Sequence, residues 1–282
     1  MGKSGIWLSD IHLDHLGAIG FDHGLNILKH KVLDLLPNPE FIVVSGDNST
    51  ALNVCDHMER FADSFYGIPI YFVLGNHDFY GSSIEEVRRS IVSLTKNVPN
   101  LFYLTESDPI ALTENTIIAG HDGWYDGGYS DWFQSRLIMN DYYEIEDFIK
   151  IANSKHAVFD LINKLSKQGA KKLVDTCTKA FPDPNSHSKS LLFVTHVPPF
   201  PELSLAPTRQ RSDSNWLPVM ASKHMGDALK QVSNHYQGID FQCLSGHTHT
   251  STTERYGYNL TCSVAHARYG APWVSIATLN IK

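Results

Sequence analysis

An α/β fold is what this sequence predicts, and three observations predict it. Short apolar runs rich in β-branched and aromatic residues alternate with segments of helical period. Such alternation favours a parallel sheet covered by helices. Five of the six runs end in residues that share one chemistry: Asp10 and His12, Asp47, Asn76 with His77 and Asp78, His196, and His247 with His249.

The first strand is expected in "GIWLSD", followed by a helix whose stripe is Leu25, Leu28, Val32 and Leu35, stopped by Pro37. "FIVVSGD" and "IPIYFVLGNHD" supply the next two strands, and the capping box Ser83 to Glu86 then opens a helix with its apolar face on Val87, Ile91 and Leu94. "NTIIAGHD", "SLLFVTH" and "FQCLSGH" are the remaining strand-like runs. Residues 124–190 break the rhythm. There, Val158, Leu161, Ile162 and Leu165 form one helical stripe and Leu173, Val174, Cys177 and Phe181 another, with Gly169 between. This predicts a helical insertion within one domain spanning 1–282. Near the C-terminus, "YGYNLTCSVAH" and "WVSIATLNI" are separated by a loop alone, which predicts an antiparallel pair and so a mixed sheet.

With 282 residues and 42% apolar content the chain can bury a large core. Its net charge of -7 argues against tracking a nucleic-acid backbone, which needs a basic stripe. Cys55, Cys177, Cys243 and Cys262 lie far apart without a C-x-x-C, so they read as reduced core thiols. No apolar stretch suits a signal peptide or a membrane span, and the expectation is a cytoplasmic protein with no membrane partner. "MGKSG" lacks the spacing of a P-loop.

Parallel strands gather their carboxyl ends along one sheet edge, where ligands bind. Asp10, His12, Asp47, Asn76, His196, His247 and His249 would converge there. Any one of them alone reads as a cap or turn residue. Together they read as a metal site, because a cation compensates desolvated carboxylates and gives neutral imidazoles a partner.

The ordered motifs Asp10-Ile11-His12, Gly46-Asp47, Gly75-Asn76-His77-Asp78, His196 in "THVPP" and Gly246-His247-Thr248-His249 resemble those of the calcineurin-like metallophosphoesterase superfamily. The resemblance implies a four-layer α/β/β/α sandwich of two mixed sheets with two divalent metal ions, Mn, Fe or Zn. It makes Asp10, His12 and His249 ligands of one ion and Asn76, His196 and His247 ligands of the other, with Asp47 bridging. It also implies a hydroxide nucleophile, His77 as general acid, and a carboxylate, Asp78 being nearest in sequence, that orients His77 or else caps the following segment. After its second strand the chain reads "GDNSTAL", without the second aspartate and the arginine of the protein Ser/Thr phosphatase branch. The implied activity is hydrolysis of a small soluble phosphomonoester or phosphodiester. A cyclic-nucleotide or nucleic-acid phosphodiesterase is the runner-up, and a non-catalytic scaffold of the same fold is the alternative of another class.

"HDGWYDGGYSDWF" suits a loop walling the site. Trp124 and Tyr125 would stack on a substrate ring or, the commoner outcome, pack the insertion onto the core. His121 and Asp122 read as rim groups or as an ordinary turn. Arg136, Arg209 and Arg211 are the candidate phosphate or carboxylate contacts, against the bland reading of solvated loop charges. His15, His23, His57, His156 and His187 show no ligand spacing and read as surface or helix residues.

Overall fold

The computed structural model describes residues 2–184, 187, 189–269 and 277–281. The first sheet has the order β11-β1-β2-β3-β4 and comprises β1 (Lys3–Leu8), β2 (Phe41–Ser45), β3 (Ile70–Val73), β4 (Leu101–Tyr103) and β11 (Ala277–Ile281). The second, β5-β6-β7-β8-β10-β9, is built from β5 (Ile110–Ala111), β6 (Thr116–Gly120), β7 (Lys189–Val194), β8 (Ile239–Ser245), β9 (Thr252–Tyr256) and β10 (Leu260–Val264). Strands β1 to β4 are mutually parallel, as are β6, β7, β8 and β10. Antiparallel edges make both sheets mixed.

The period of two sorts each strand between two apolar layers. On β1 and β2, Ile6, Leu8, Ile42 and Val44 face the helices α1 (Phe21–Leu35), α2 (Val54–Ser64) and α3 (Ile84–Asn97). Their neighbours Trp7, Phe41 and Val43 face the other sheet. On β7, Leu192 and Val194 meet them, while Leu191 and Phe193 pack on the far-side helices α6 (Lys155–Ala180) and α8 (Lys223–His235). Three apolar layers between four structural layers give the α/β/β/α sandwich. All six apolar runs are strands, and Ser83 caps α3 by accepting from the Glu86 backbone N–H. Leu35, at the end of the α1 stripe, is exposed instead of buried.

Two expectations are overturned. The two stripes around Gly169 belong to one continuous helix, α6. A Cβ at Gly169 would lie 3.2 Å from Met225 Cε, so the glycine lets α6 and α8 approach, offsetting its propensity cost of about 1 kcal/mol. The first half of α6 packs with the α1–α3 layer and the second half covers the second sheet. The C-terminal strands do not pair with each other either. β10 lies parallel to β8 and takes β9 as its antiparallel partner, leaving β11 to close the open edge of β1, where Ile281 enters the inter-sheet layer. Residues 273–276 of that expected strand lie outside the described residues.

Between β6 and α6 the chain forms turns and two short helices, α4 (Asp141–Glu144) and α5 (Glu146–Ile149). They dock on the turn after β3 through Gly81 N–H to Glu144 O and Glu146 N–H to Ser82 O. α7 (Leu217–Met220) precedes α8 in the chain, and its Val219 packs in the same apolar layer as Tyr142, Ile145 and Phe148.

Candidate metal centre

The seven predicted donors meet where the carboxyl ends of the two sheets face one another. Five of them leave their strands with left-handed backbone: Asp10 (φ 50°), His12 (39°), Asp47 (49°), His247 (69°) and His249 (57°). Asp and His tolerate this region better than most residues, and strain there typically marks functional sites. The glycines beside them are needed for close approach. A Cβ on Gly75 would lie 2.1 Å from Asp47 Oδ1, and one on Gly246 would lie 2.2 Å from Asp10 Oδ2. The G-D, G-N-H and G-H-x-H spacings are thus steric as well as chemical.

Asp10, His12, Asp47 and His249 form one cluster, with one ligand atom of each within 4.8 Å of the others. His249 Nε2 stands 3.1 Å from Asp10 Oδ1, and His12 Nε2 stands 3.8 Å from Asp47 Oδ2. The second cluster is Asn76, His196 and His247. Asn76 Oδ1 lies 3.2 Å from both His196 Nε2 and His247 Nδ1. Asp47 stands between the clusters, its Oδ2 toward His12 and its Oδ1 3.3 Å from His196 Nε2.

Backbone carbonyls orient the rings. His196 Nδ1 is 2.9 Å from Ser45 O and His247 Nε2 is 2.9 Å from Val219 O, so each ring turns its other nitrogen inward. His12 is buried, and among the described residues neither of its ring nitrogens has a hydrogen-bond partner. An orphaned buried imidazole beside two carboxylates fits a cation better than any other resident.

The electrostatics agree. Burial would raise Asp10, but the adjoining His249 together with His196 outweighs it and holds the carboxyl down to about 2. Burial opposes ionisation of Asp47 as well, and His196 brings it well below the usual carboxylate range. His196 is pushed the other way from burial, up to about 10, by Asp47. Burial lowers His12 and His247 to about 4, leaving them neutral with lone pairs free for a metal. The proton shared by His196 and Asp47 is one that a bound cation would displace.

His77 lies at the rim, its ring stacked on Tyr80 at 4.4 Å and its Nε2 4.0 Å from Asp47 Oδ2 and 3.4 Å from Tyr269 Oη. Asp78 does not orient it. Both carboxylate oxygens of buried Asp78 accept the backbone N–H of Asn48, and they also take those of Ser49 and Gly75 and the Asn48 side-chain amide, clamping the β2 and β3 turns together.

A cavity of about 920 Å³ opens over the clusters, lined by His77, His247, His249 and also by His15 and Arg211. His15 is an exposed residue of the short helix Leu13–Ile19, as its reading as a surface or helix residue had it, and it also lies at the cavity mouth. Trp124 and Tyr125 are buried in the core and cannot stack on a substrate: Trp124 stacks on Phe148, and Tyr125 donates to Asp141. Arg136 lines a neighbouring cavity of about 520 Å³. Arg209 turns away to donate to Ser251 O. Asp122 is neither rim nor ordinary turn. It is buried in an ion pair with Arg88 of α3 and accepts from Tyr103, Thr105 and Leu74 N–H, tying β6 to the first sheet.

The sequence reading missed Asp141. This buried residue accepts from Asn76 Nδ2 (2.8 Å), Tyr80 Oη (2.7 Å) and Tyr125 Oη (2.6 Å). No motif contains it, because its partners are far away in sequence. Its only signal was an aspartate preceding two tyrosines inside the insertion.

The whole structure is similar to a dimetal phosphatase from Danio rerio, with TM-score 0.59 and 14% identity over 98% of this chain and 91% of that one. It is also similar to the TT1561 protein of Thermus thermophilus, with TM-score 0.53 and 10% identity over 100% of both chains. No protein with a curated description matches the sequence in direct comparison. The described residues contain no helix long and apolar enough to cross a membrane. The profile of the calcineurin-like phosphoesterases matches residues 6–251, the whole length over which the seven candidate donors are distributed, and the chain belongs to that family.

Proposed function

We propose that the protein is a metal-dependent hydrolase of small soluble phosphoesters, with Asp10, His12 and His249 holding one divalent ion and Asn76, His196 and His247 the other. The observation that carries this reading is the position of Asp47, whose two oxygens face the two clusters as a bridging ligand's would. When bound, the ions supply Lewis-acid polarisation of the phosphoryl group and a water that ionises near neutral pH. The nitrogen and oxygen donor set suits Mn, Fe or Zn.

His77 is the proton donor to the leaving oxygen. Among the described residues no backbone carbonyl clamps its ring, which, unlike that of buried His12, stands partly open at the cavity rim, where the stack on Tyr80 holds it. The family match and the likeness to a dimetal phosphatase support phosphoester hydrolysis. A monoester and a diester assay test it together. Hydrolysis of p-nitrophenyl phosphate or bis-p-nitrophenyl phosphate is expected to vanish on chelation and return with Mn²⁺. Undiminished turnover after exhaustive metal removal would overturn the two-metal reading, and no metal-dependent release from either ester would favour a scaffold.

A further inference from the structure

We infer that the cavity over the centre carries an apolar subsite for the alcohol portion of the substrate, so that phosphate esters of bulky, ring-bearing alcohols are preferred over those of small or polar ones. The inference rests on the phosphoesterase reading above and adds the class of ester.

Three of the ten large apolar side chains that remain exposed among the described residues line this one cavity: Ile138 (62% exposed), Trp216 (46%) and Tyr269 (49%). Exposed apolar surface gathered in one concavity marks a binding site more than scattered surface residues do. The apolar lining comes from two stretches of chain, Leu137, Ile138 and Met139 making one wall and Leu205, Pro207 and Trp216 a second. A bare phosphate needs none of this. A cavity of about 920 Å³ is far larger than a phosphoryl group and lies within the usual range for ligands with a substantial organic portion.

Both walls are built and are in register with the metal centre. The first continues directly into Asp141, whose carboxylate receives Asn76 Nδ2 at 2.8 Å. The second continues into α7, where Val219 O meets His247 Nε2 at 2.9 Å. Trp216 itself is fixed by its backbone N–H to Asp213 Oδ1 and by Val219 N–H to its carbonyl. The loop bearing Leu205 and Pro207 is a small hairpin, closed by Ala206 N–H to Gln210 O and Ser212 N–H to Ser204 O. Asn215 staples the two walls: Ser135 Oγ donates to its carbonyl at 2.7 Å, and Arg136 N–H to its Oδ1 at 2.7 Å. A ring held between these walls is therefore held at a set distance from the reacting phosphorus, which converts burial of the ring into positioning.

The test compares ethyl, benzyl and 2-naphthylmethyl phosphate on the Mn²⁺-loaded protein. All three release a primary alkoxide, so the demand for leaving-group protonation is similar and the ring area is what varies. Burying the extra rings should raise kcat/KM roughly 10- to 100-fold across the series. Trp216→Ala should shrink that span roughly tenfold by the same area argument. Ile138→Ser, on the other stretch of the lining and still more exposed, should shrink it too. Calorimetric binding of ethylphosphonate and 2-naphthylmethylphosphonate reads the subsite without chemistry, and the aromatic compound should bind more tightly by a similar factor. A flat series with equal phosphonate affinities would overturn the inference, as would a span that survives both substitutions. Absence of turnover on every ester, with the phosphonates still discriminated, would strike the phosphoesterase reading and leave the subsite standing.

Discussion

Asp141 accepts a hydrogen bond from the Asn76 amide nitrogen at 2.8 Å, and that contact decides which end of the amide faces the candidate metal centre. Its carboxylate oxygen takes the NH₂ end of the amide, the only end that can donate, and leaves Oδ1 pointing at His196 and His247. The same carboxylate holds Tyr80, on which His77 stacks, and Tyr125, which lies against the His247 ring.

Replacing Asp141 by Asn should therefore weaken the ion of the Asn76 cluster selectively, by roughly 10- to 100-fold in affinity, because the new amide can donate where only acceptance fixed the orientation. Elemental analysis after dialysis at limiting metal should find about one ion retained in place of two. A melting temperature close to wild type would accompany that loss if the role is orientation. Two ions bound with unchanged affinity would show that Asn76 needs no such partner.

Asp47→Asn should deplete metal more than His249→Ala does. The bridge position faces both clusters and would lose its negative charge, whereas His249 serves only the Asp10 side. The comparison is the summed metal content of the two variants under identical dialysis. Equal occupancy of both ions in Asp47→Asn and wild type would show that Asp47 does not bridge them.

The candidate ligands were legible because each stands within five residues of the end of an apolar run, and parallel strands bring such positions to one edge whatever the loops between them do. The orienting groups were not. Asp141 reaches Asn76 across 65 positions, and nothing in either local sequence encodes that meeting. Asp78 shows the converse error. Adjacency to His77 suggested a partnership, but a turn sends neighbouring side chains in different directions, and backbone N–H groups left unpaired by the β2 and β3 turns take up the carboxylate. β11 was recognisable as a strand but not assignable to a sheet, because period-two patterning reports burial and is silent on which edge is open.

His121 gives a pH prediction outside the metal ligands. Burial lowers its imidazole to about 4 from an ordinary value of 6.5, Asp122 pulling upward and Arg88 and Lys172 adding to the lowering. Its Nδ1 accepts the Gly123 N–H at 2.9 Å, a bond that needs the neutral ring. As pH falls below about 6.5 the unfolded chain binds a proton that the native ring refuses, so stability declines until about pH 4, by up to about 3 kcal/mol in all. His121→Asn keeps an acceptor for Gly123 but does not titrate. Denaturant unfolding of the metal-free protein should show a shallower decline for the variant over that interval, and identical slopes would place the acid sensitivity elsewhere.

His77 separates chemistry from metal binding within a single motif. Its backbone N–H donates to Asp47 Oδ1 at 2.9 Å, and its ring, although 4.0 Å from Asp47 Oδ2, is not one of the clustered donors, so His77→Ala should keep both ions. If the imidazole protonates the departing oxygen, the variant should lose roughly 10²- to 10⁴-fold on an ester of a poor alkoxide leaving group. The loss should be much smaller on p-nitrophenyl phosphate, whose phenolate departs readily without a proton. Asp78→Asn provides the contrast, because its carboxylate clamps two turns and does not touch the His77 ring. That variant should lose stability while keeping the same ratio between the two esters as wild type. Steady-state rates on the ester pair, with metal content measured on the same samples, decide the matter. Equal losses on both esters in His77→Ala would reject the acid role and assign His77 to holding the phosphoryl group, and loss of one ion would make it a ligand or a support for one.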